Sequence, residues 1–262
     1  VEARGRRARV VPCDVADAAQ VCDAVTIVRD TLGEIDLLIN DAGIIQVGPA
    51  EQMTRADYDE ALATNFWGTL HTILAVAPHM QRRRAGRIVN VTSIGGKVPI
   101  GHLLPYTASK FAAVGLSEGL RTALAKHDVW VTTVCPGELR TGSPAHAVFK
   151  GDAPAEHAWF AASDSAPVLS MAVERAAARI LDAARHGDAE LVMPASAWLQ
   201  ARLHGVAPAL SLAFGELLEA RLPQAVPGGE ARHPGHAVRG REPAWAAAVQ
   251  RDAGARFTQG TG

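Results

Sequence analysis

The chain contains two tyrosines, Tyr58 and Tyr106, and its lysines are Lys97, Lys110, Lys126 and Lys150. In Tyr106-Thr107-Ala108-Ser109-Lys110 a lysine follows a tyrosine by four residues. Chance placement of so few residues of either type gives that spacing with a probability of about 0.03. On a helix, residues i and i+4 share a face. An ammonium one turn from a phenol favours the phenolate, so Lys110 is expected to draw the Tyr106 pKa down from its reference near ~10 toward neutrality. A phenol tuned in this way can pass a proton to or from an alcohol/carbonyl pair.

Other polar residues fall where such chemistry could use them. Ser93 lies just past the apolar run Arg87 to Val91, at the kind of strand end where α/β sites form. Asn40-Asp41-Ala42-Gly43 follows the run Ile35 to Asn40 in the same way. Asn65 interrupts an apolar helical stretch, Ala61 to Leu70. Pro136-Gly137, with Thr141 shortly after, stops the run Trp130 to Cys135.

The elements that must position these residues are legible in outline. Buried-strand runs are expected at Arg9 to Val15, Ile35 to Asn40, Arg87 to Val91, Trp130 to Cys135 and Glu190 to Met193. Helical patterns occupy Ala16 to Leu32, Thr54 to about Arg84, Tyr106 to Lys126, about Met171 to Arg185, and about Ala195 to Leu222. Residues 138–169 lack clear periodicity and are expected as a long loop or small helices. From Pro223 onward Gly and Pro are frequent, which predicts a flexible tail over 223–262 with a turn of helix near Trp245 to Val249. Strands written as continuous apolar runs and alternating with helices predict an α/β fold, a doubly wound parallel sheet covered on both faces, within residues 1–222.

Composition excludes several classes. Hydrophobic residues make up 48% of the 262-residue chain and charged residues 20%, enough for a core. Basic residues number 26 and acidic residues 27, so no bulk field draws the chain to nucleic acid or membrane. Cys13, Cys22 and Cys135 have no paired spacing, which predicts a reducing, cytoplasmic setting, and the short run after Arg4, Arg6, Arg7 and Arg9 does not form the core of a leader. No apolar stretch is long enough to predict a membrane span, although the Leu-rich segment Ala195 to Leu222 must pack on the sheet or a partner subunit, or lie in a membrane interface. Arg82, Arg83 and Arg84 read as a helix end that favours cations. Gly115-Leu116-Ser117-Glu118-Gly119 matches a serine-hydrolase elbow in letters only, because Ser117 falls inside a helix. His233 and His236 lack a third ligand nearby, and no metal is expected.

The ordered set Cys13-Asp14-Val15, Asn40-Asp41-Ala42-Gly43, Asn65, Asn90-Val91-Thr92-Ser93, Tyr106 to Lys110 and Pro136 to Thr141 resembles the short-chain dehydrogenase/reductase family over roughly residues 8–193. The resemblance implies a Rossmann-like fold and hydride transfer between NADP or NAD and a secondary alcohol or ketone. In that pattern Tyr106 exchanges the hydroxyl proton, and Lys110 holds the nicotinamide ribose and lowers the Tyr106 pKa. Ser93 bonds the substrate oxygen, and Asn65 supports a water that links Lys110 to solvent. Asp14 and Val15 resemble residues beside the adenine, and Asn40, Ala42 and Gly43 those beside the ribose. Pro136, Gly137 and Thr141 resemble the nicotinamide-side contacts. Asp41 and Thr92 stand where the family commonly has Asn and Ser. The resemblance also implies a homodimer or homotetramer through helices 54–84 and 106–126. Ile94, Val98, Ile100, Leu103 and Leu104, with the 138–169 segment as a lid, suggest a small hydrophobic alcohol or ketone substrate.

The family's Gly-rich phosphate-binding turn has no counterpart in the sequence. The expectation is therefore a chain truncated at its N-terminus, lacking the first two strands, that binds cofactor poorly by itself and leaves the Ile35 to Asn40 strand as an open apolar edge. The turn's absence equally suits a non-catalytic fragment or oligomerisation module, whereas the Ser93, Tyr106 and Lys110 set suits an enzyme. The residues that distinguish NAD from NADP normally follow the second strand.

Overall fold

The computed structural model describes residues 5–166 and 169–256. Arg4 and the last six residues of the expected tail lie outside the described residues. In chain order the elements are α1 (Ala18–Leu32), β1 (Leu37–Asn40), β2 (Gln46–Val47), α2 (Arg55–Leu62), a π-helical turn (Ala63–Gly68), α3 (Thr69–Arg83) and β3 (Gly86–Val91). There follow α4 (Leu104–Leu124), β4 (Val129–Pro136), β5 (Leu139–Arg140), β6 (Val148–Phe149), α5 (Ala153–Ser165), β7 (Met171–Ala172), α6 (Val173–His186) and β8 (Glu190–Met193). The last are α7 (Ala195–Val206), α8 (Pro208–Glu219), β9 (His233–Pro234) and α9 (Ala244–Arg256).

The central sheet has the order β1-β3-β4-β8, with every pair parallel. The register sets Leu38 beside Ile88 and Ile88 beside Val131, so one row of apolar side chains crosses three strands. Because successive strand residues face opposite ways, Ile88 packs with Ile73, Val76 and Met80 of α3, and its neighbour Val89 packs with Ala176 and Ala184 of α6. Both faces are covered, which is why these strands read as unbroken apolar runs, and the doubly wound parallel sheet is the observed fold. Every strand of this sheet ends at the same rim, where Asn40, Val91, Pro136 and Met193 lead into loops.

Local chemistry starts and stops the helices. The Asp17 carboxylate accepts the Ala19 and Gln20 N–H groups at 2.8 and 3.2 Å at the start of α1. Thr54 and Asp57 form a capping box at α2. Gly187, at φ 72°, closes α6 in a conformation that favours glycine.

Several elements differ from the sequence expectation. The run Arg9 to Val15 forms no ladder, because no described strand lies beyond β1 to pair with it. For the same reason β1 is an edge, with Leu37 38% and Ile39 41% exposed. The expected helix 54–84 is divided by the π turn that holds Asn65. The expected helix 195–222 breaks between α7 and α8 at Pro208, which donates no N–H and pushes Ala207 out of helical geometry. α7 packs on the sheet through Ala197, which joins Cys135 and Val192 in the core, and α8 packs on α7, while Leu199, Val206, Leu210 and Phe214 are exposed. No helix among the described residues is long and apolar enough to cross a membrane.

The 138–169 segment contains a full helix, α5, whose buried residues, among them Ala153, Glu156, His157, Phe160 and Ala161, surround it and leave no one-sided apolar stripe to read. The described part of the tail is folded against the domain rather than loose. β9 pairs antiparallel with β6, Gly229 C=O accepts the Gly151 N–H at 2.8 Å, and Ala246 and Ala253 of α9 are buried. Its glycines and prolines therefore make turns.

Ile88 is fully buried between α3 and the sheet. Ile88→Ala is expected to lower the free energy of unfolding by about 2–5 kcal/mol, read as a shift in the urea midpoint.

Candidate active site

β3 ends at Val91, and the chain turns at Ser93, whose hydroxyl accepts the Gly95 N–H at 3.0 Å. This bond starts a short 3-10 turn, Ile94–Gly96, that brings Gly96 against α4. A Cβ on Gly96 would lie 2.7 Å from the Lys110 carbonyl oxygen, so the approach requires glycine. α4 begins at Leu104, with Pro105 in its first turn, where the missing N–H does no harm. Tyr106 therefore falls at the start of α4 and lines the same cavity as Ser93. One turn on, the Lys110 ammonium sits 5.5 Å from the Tyr106 ring centroid and donates to the Val91 carbonyl at 3.3 Å.

Burial decides the electrostatics. Burial pushes the Tyr106 phenol up to about 12, and the acids Glu138 and Asp41 add to the rise while Ser93 opposes it. Burial pulls the Lys110 ammonium down to about 8, with Asp41 opposing. The expected lowering of Tyr106 by Lys110 is thus not what the structure shows: loss of water acts on the two groups more strongly than their spacing does. At neutral pH Tyr106 keeps its proton and Lys110 carries its charge.

Ser93, Tyr106 and Lys110 line one cavity of about 520 Å³, together with Gly43, Pro136, Gly137 and Thr141. Of the expected hydrophobic lining, Ile94, Ile100 and Leu103 face this cavity, and Val98 and Leu104 do not. Phe160 and Asp164 of α5 close one side, so the 138–169 segment does reach over the pocket.

The remaining expected residues stand elsewhere. Asn65 is 1% exposed and saturated: its amide oxygen accepts the Ile44 N–H at 2.8 Å, and its amide nitrogen donates to the Ile44 carbonyl at 3.1 Å and the Ser109 hydroxyl at 2.8 Å. It clamps the turn after β1 onto α4. Asn40 lies within the sheet, donating to Asn90 Oδ1 at 2.9 Å and accepting from the Thr72 hydroxyl at 2.6 Å. Asn90 in turn donates to Ser117 Oγ at 2.9 Å, so Ser117 belongs to a buried polar chain across the strands. Asp14 is exposed, Val15 packs against Gly68, and neither lines the cavity. Ala42 is exposed outside it. Three acids line the cavity, Asp41, Glu138 and Asp164, and none of them was among the expected site residues. The signal for Glu138 was an acid placed directly after Pro136-Gly137 at a strand end.

The residues present fit the nicotinamide and ribose end of a dinucleotide. The Lys110 ammonium has three donors, and Val91 takes one of them. Gly43 leaves the space beside it open, since a Cβ there would lie 3.4 Å from Lys110 Nζ and 3.1 Å from Asn65 Oδ1. Around Asp14 and Val15 no Gly-rich turn offers N–H groups to a pyrophosphate among the described residues.

A family model described as short chain dehydrogenase matches residues 1–148. Gluconate 5-dehydrogenase of Gluconobacter oxydans is 36% identical over 140 residues, which is 53% of this chain and 55% of that protein. D-Threitol dehydrogenase of Mycolicibacterium smegmatis is 39% identical over 129 residues, 49% of this chain and 50% of that protein. The chain spans about half the length of the curated relatives it matches. A short-chain dehydrogenase from Streptomyces avermitilis is similar in structure, with a TM-score of 0.71 and 26% identity over 84% of this chain and 82% of that one.

Lys110 is expected to titrate at about 8, against an ordinary lysine value of 10.5. Its ε-carbon shift in a pH series, assigned through Lys110→Arg, measures this. The charge is present below about pH 8 and lost as pH rises through it, and a midpoint near 10.5 would mean that the amine is in water.

Proposed function

Because this chain belongs to the short-chain dehydrogenase family, we propose that it acts as an NADP- or NAD-dependent oxidoreductase that interconverts a small secondary alcohol and a ketone. The observation that carries the proposal is the convergence of Ser93, Tyr106 and Lys110 on one cavity, with Ser93 near enough to Tyr106 to oppose the rise in its pKa. A substrate oxygen placed between the Ser93 and Tyr106 hydroxyls has a donor on each side. The nicotinamide, when bound, supplies or takes the hydride.

The chain's own residues then divide the work. In ketone reduction Tyr106 gives its proton to the substrate oxygen as charge develops there, and Ser93 holds that oxygen by a hydrogen bond. A phenol at about 12 is protonated throughout the neutral range, which suits the reductive direction, while oxidation requires its prior deprotonation. Lys110, charged below about pH 8, stabilises the phenolate that reduction leaves and offers its free donors to the ribose hydroxyls. Gly43, Pro136, Gly137 and Thr141 shape the cavity for the ring and ribose. Asn65 positions the Ile44 turn and, through Ser109, the face of α4 that carries Lys110; a water relay from Lys110 to solvent would pass at this point. Asn40 would act through the sheet, and Asp14, Val15 and Ala42 would serve the adenine and ribose from outside the cavity. Ile94, Ile100 and Leu103 meet the carbon chain of the substrate.

The family's mode of assembly, a homodimer or homotetramer through α2, α3 and α4, has support in the exposed Trp67 of the π turn, Leu74 of α3 and Phe111 of α4. The free thiols of Cys13, Cys22 and Cys135 suit the cytoplasm. A second reading is a non-catalytic module that uses the same exposed helix faces to assemble.

Fluorescence titration of NADPH, and separately NADH, into the chain decides between the two. Saturable binding weakened by Lys110→Ala supports the enzyme, and a folded chain that binds neither supports the module. Where turnover is found, Tyr106→Phe is expected to reduce kcat by about 10²–10⁴-fold with cofactor affinity kept. A variant within a few-fold of the parent would remove Tyr106 from the proton transfer.

A further inference from the structure

One wall of the Tyr106 cavity is not used by the acid/base set. Glu138, directly after β4, and Asp164, in the last turn of α5, both line it. Asp164 is 4% exposed, and its Oδ2 accepts from the Gln250 amide of α9 at 2.9 Å. Glu138 lies beside Ser163. No ion pair forms on either carboxyl among the described residues. Arg140, the cation whose charge reaches Asp164, donates instead to the Ser170 carbonyl at 3.0 Å and the Ser170 hydroxyl at 2.9 Å.

Carboxyl groups out of water and without a cation are unfavourable unless hydrogen bonds complete them. Asp164 receives one hydrogen bond from Gln250, Ser163 lies beside Glu138, and both carboxyls, which line the cavity, keep acceptor capacity. Burial raises both, and the charge of Glu138 raises Asp164 further, so the pair retains a proton more readily than ordinary carboxyls do. A wall of this kind offers a donor and acceptors together, which matches a hydroxyl, a group that gives and takes one hydrogen bond. Ile94, Ile100 and Leu103 supply apolar lining to the same cavity.

We propose that Glu138 and Asp164 form a polar subsite that binds a second hydroxyl of the substrate, so that the preferred substrates are polyols and hydroxyketones rather than simple apolar alcohols and ketones. This rests on the oxidoreductase reading of the same cavity. Gln250 of α9 holds Asp164 in place by donating to both Asp164 and the Ser165 hydroxyl at 2.9 Å.

The test compares kcat/KM for a short secondary alcohol, its vicinal diol and its vicinal amino alcohol, in the parent chain and in Glu138→Gln and Asp164→Asn. The diol is expected to exceed the mono-alcohol by about 10–100-fold, the range for one hydrogen bond to a charged or buried polar partner, and the ratio to collapse toward one in both variants. Equal turnover of diol and mono-alcohol in the parent, or a preference for the amino alcohol over the diol, overturns the subsite. If no substrate is turned over, the oxidoreductase reading fails on its own, and saturation-transfer NMR with the same ligands decides the subsite. Diol binding that is lost in Glu138→Gln upholds it, and diol binding no stronger than that of the mono-alcohol overturns it.

Discussion

An ammonium held out of water beside a phenol is an unfavourable local arrangement, and several surrounding elements maintain it. Lys110 is 5% exposed. Water would return both groups to their ordinary ionisation, so the fold must exclude it from below while leaving the cavity open above. The sheet supplies the floor: β3 ends beneath Lys110, and its last carbonyl, on Val91, accepts the ammonium. Gly96 lets that floor reach the backbone of α4 without an intervening side chain. The Ile44 turn, tied down by Asn65, closes the remaining side. Three separate elements thus serve a single desolvated pair.

The register that brings these elements together is polar as well as apolar. Asn40, Asn90 and Thr133 stand side by side on β1, β3 and β4, and their side chains join with Thr72 of α3 and Ser117 of α4. A slip of one residue would leave these groups unpaired inside the core, a penalty of about 1–3 kcal/mol for each lost partner. An apolar row alone tolerates sliding better than this chain of amides and hydroxyls does. The polar residues nearest the strand ends therefore set the height at which the loops leave the sheet.

The parts of the site visible in the sequence were the local ones. Tyr106 and Lys110 announce themselves because their relation is a single helical turn, and Ser93 and Gly137 because strand ends are marked by apolar runs that stop. The ionisation of Tyr106 was not visible in the same way: it depends on burial contributed by residues far away in the chain, which the spacing does not encode. Asn65 reads as a polar interruption, but its partner Ile44 lies on another segment. The C-terminal region misled for a compositional reason, since glycine and proline serve tight turns as readily as loose chain. The pairing of β9 with β6, the Gly229 and Gln250 hydrogen bonds and the buried alanines of α9 distinguish the two. In α5, burial on several sides erased the periodicity that normally reveals a helix.

The open edge of the sheet has a consequence for how copies of this chain can meet. All four strands point the same way, so the two borders of the sheet, β1 and β8, are chemically different. A two-fold contact of β1 with β1 of another copy would run antiparallel and close after two subunits. A contact of β1 with β8 of another copy would run parallel, regenerate a free β1 at the far side, and continue without end. Leu37 and Ile39 are exposed along the four residues of β1. The direction of one four-residue strand separates a finite assembly from a filament.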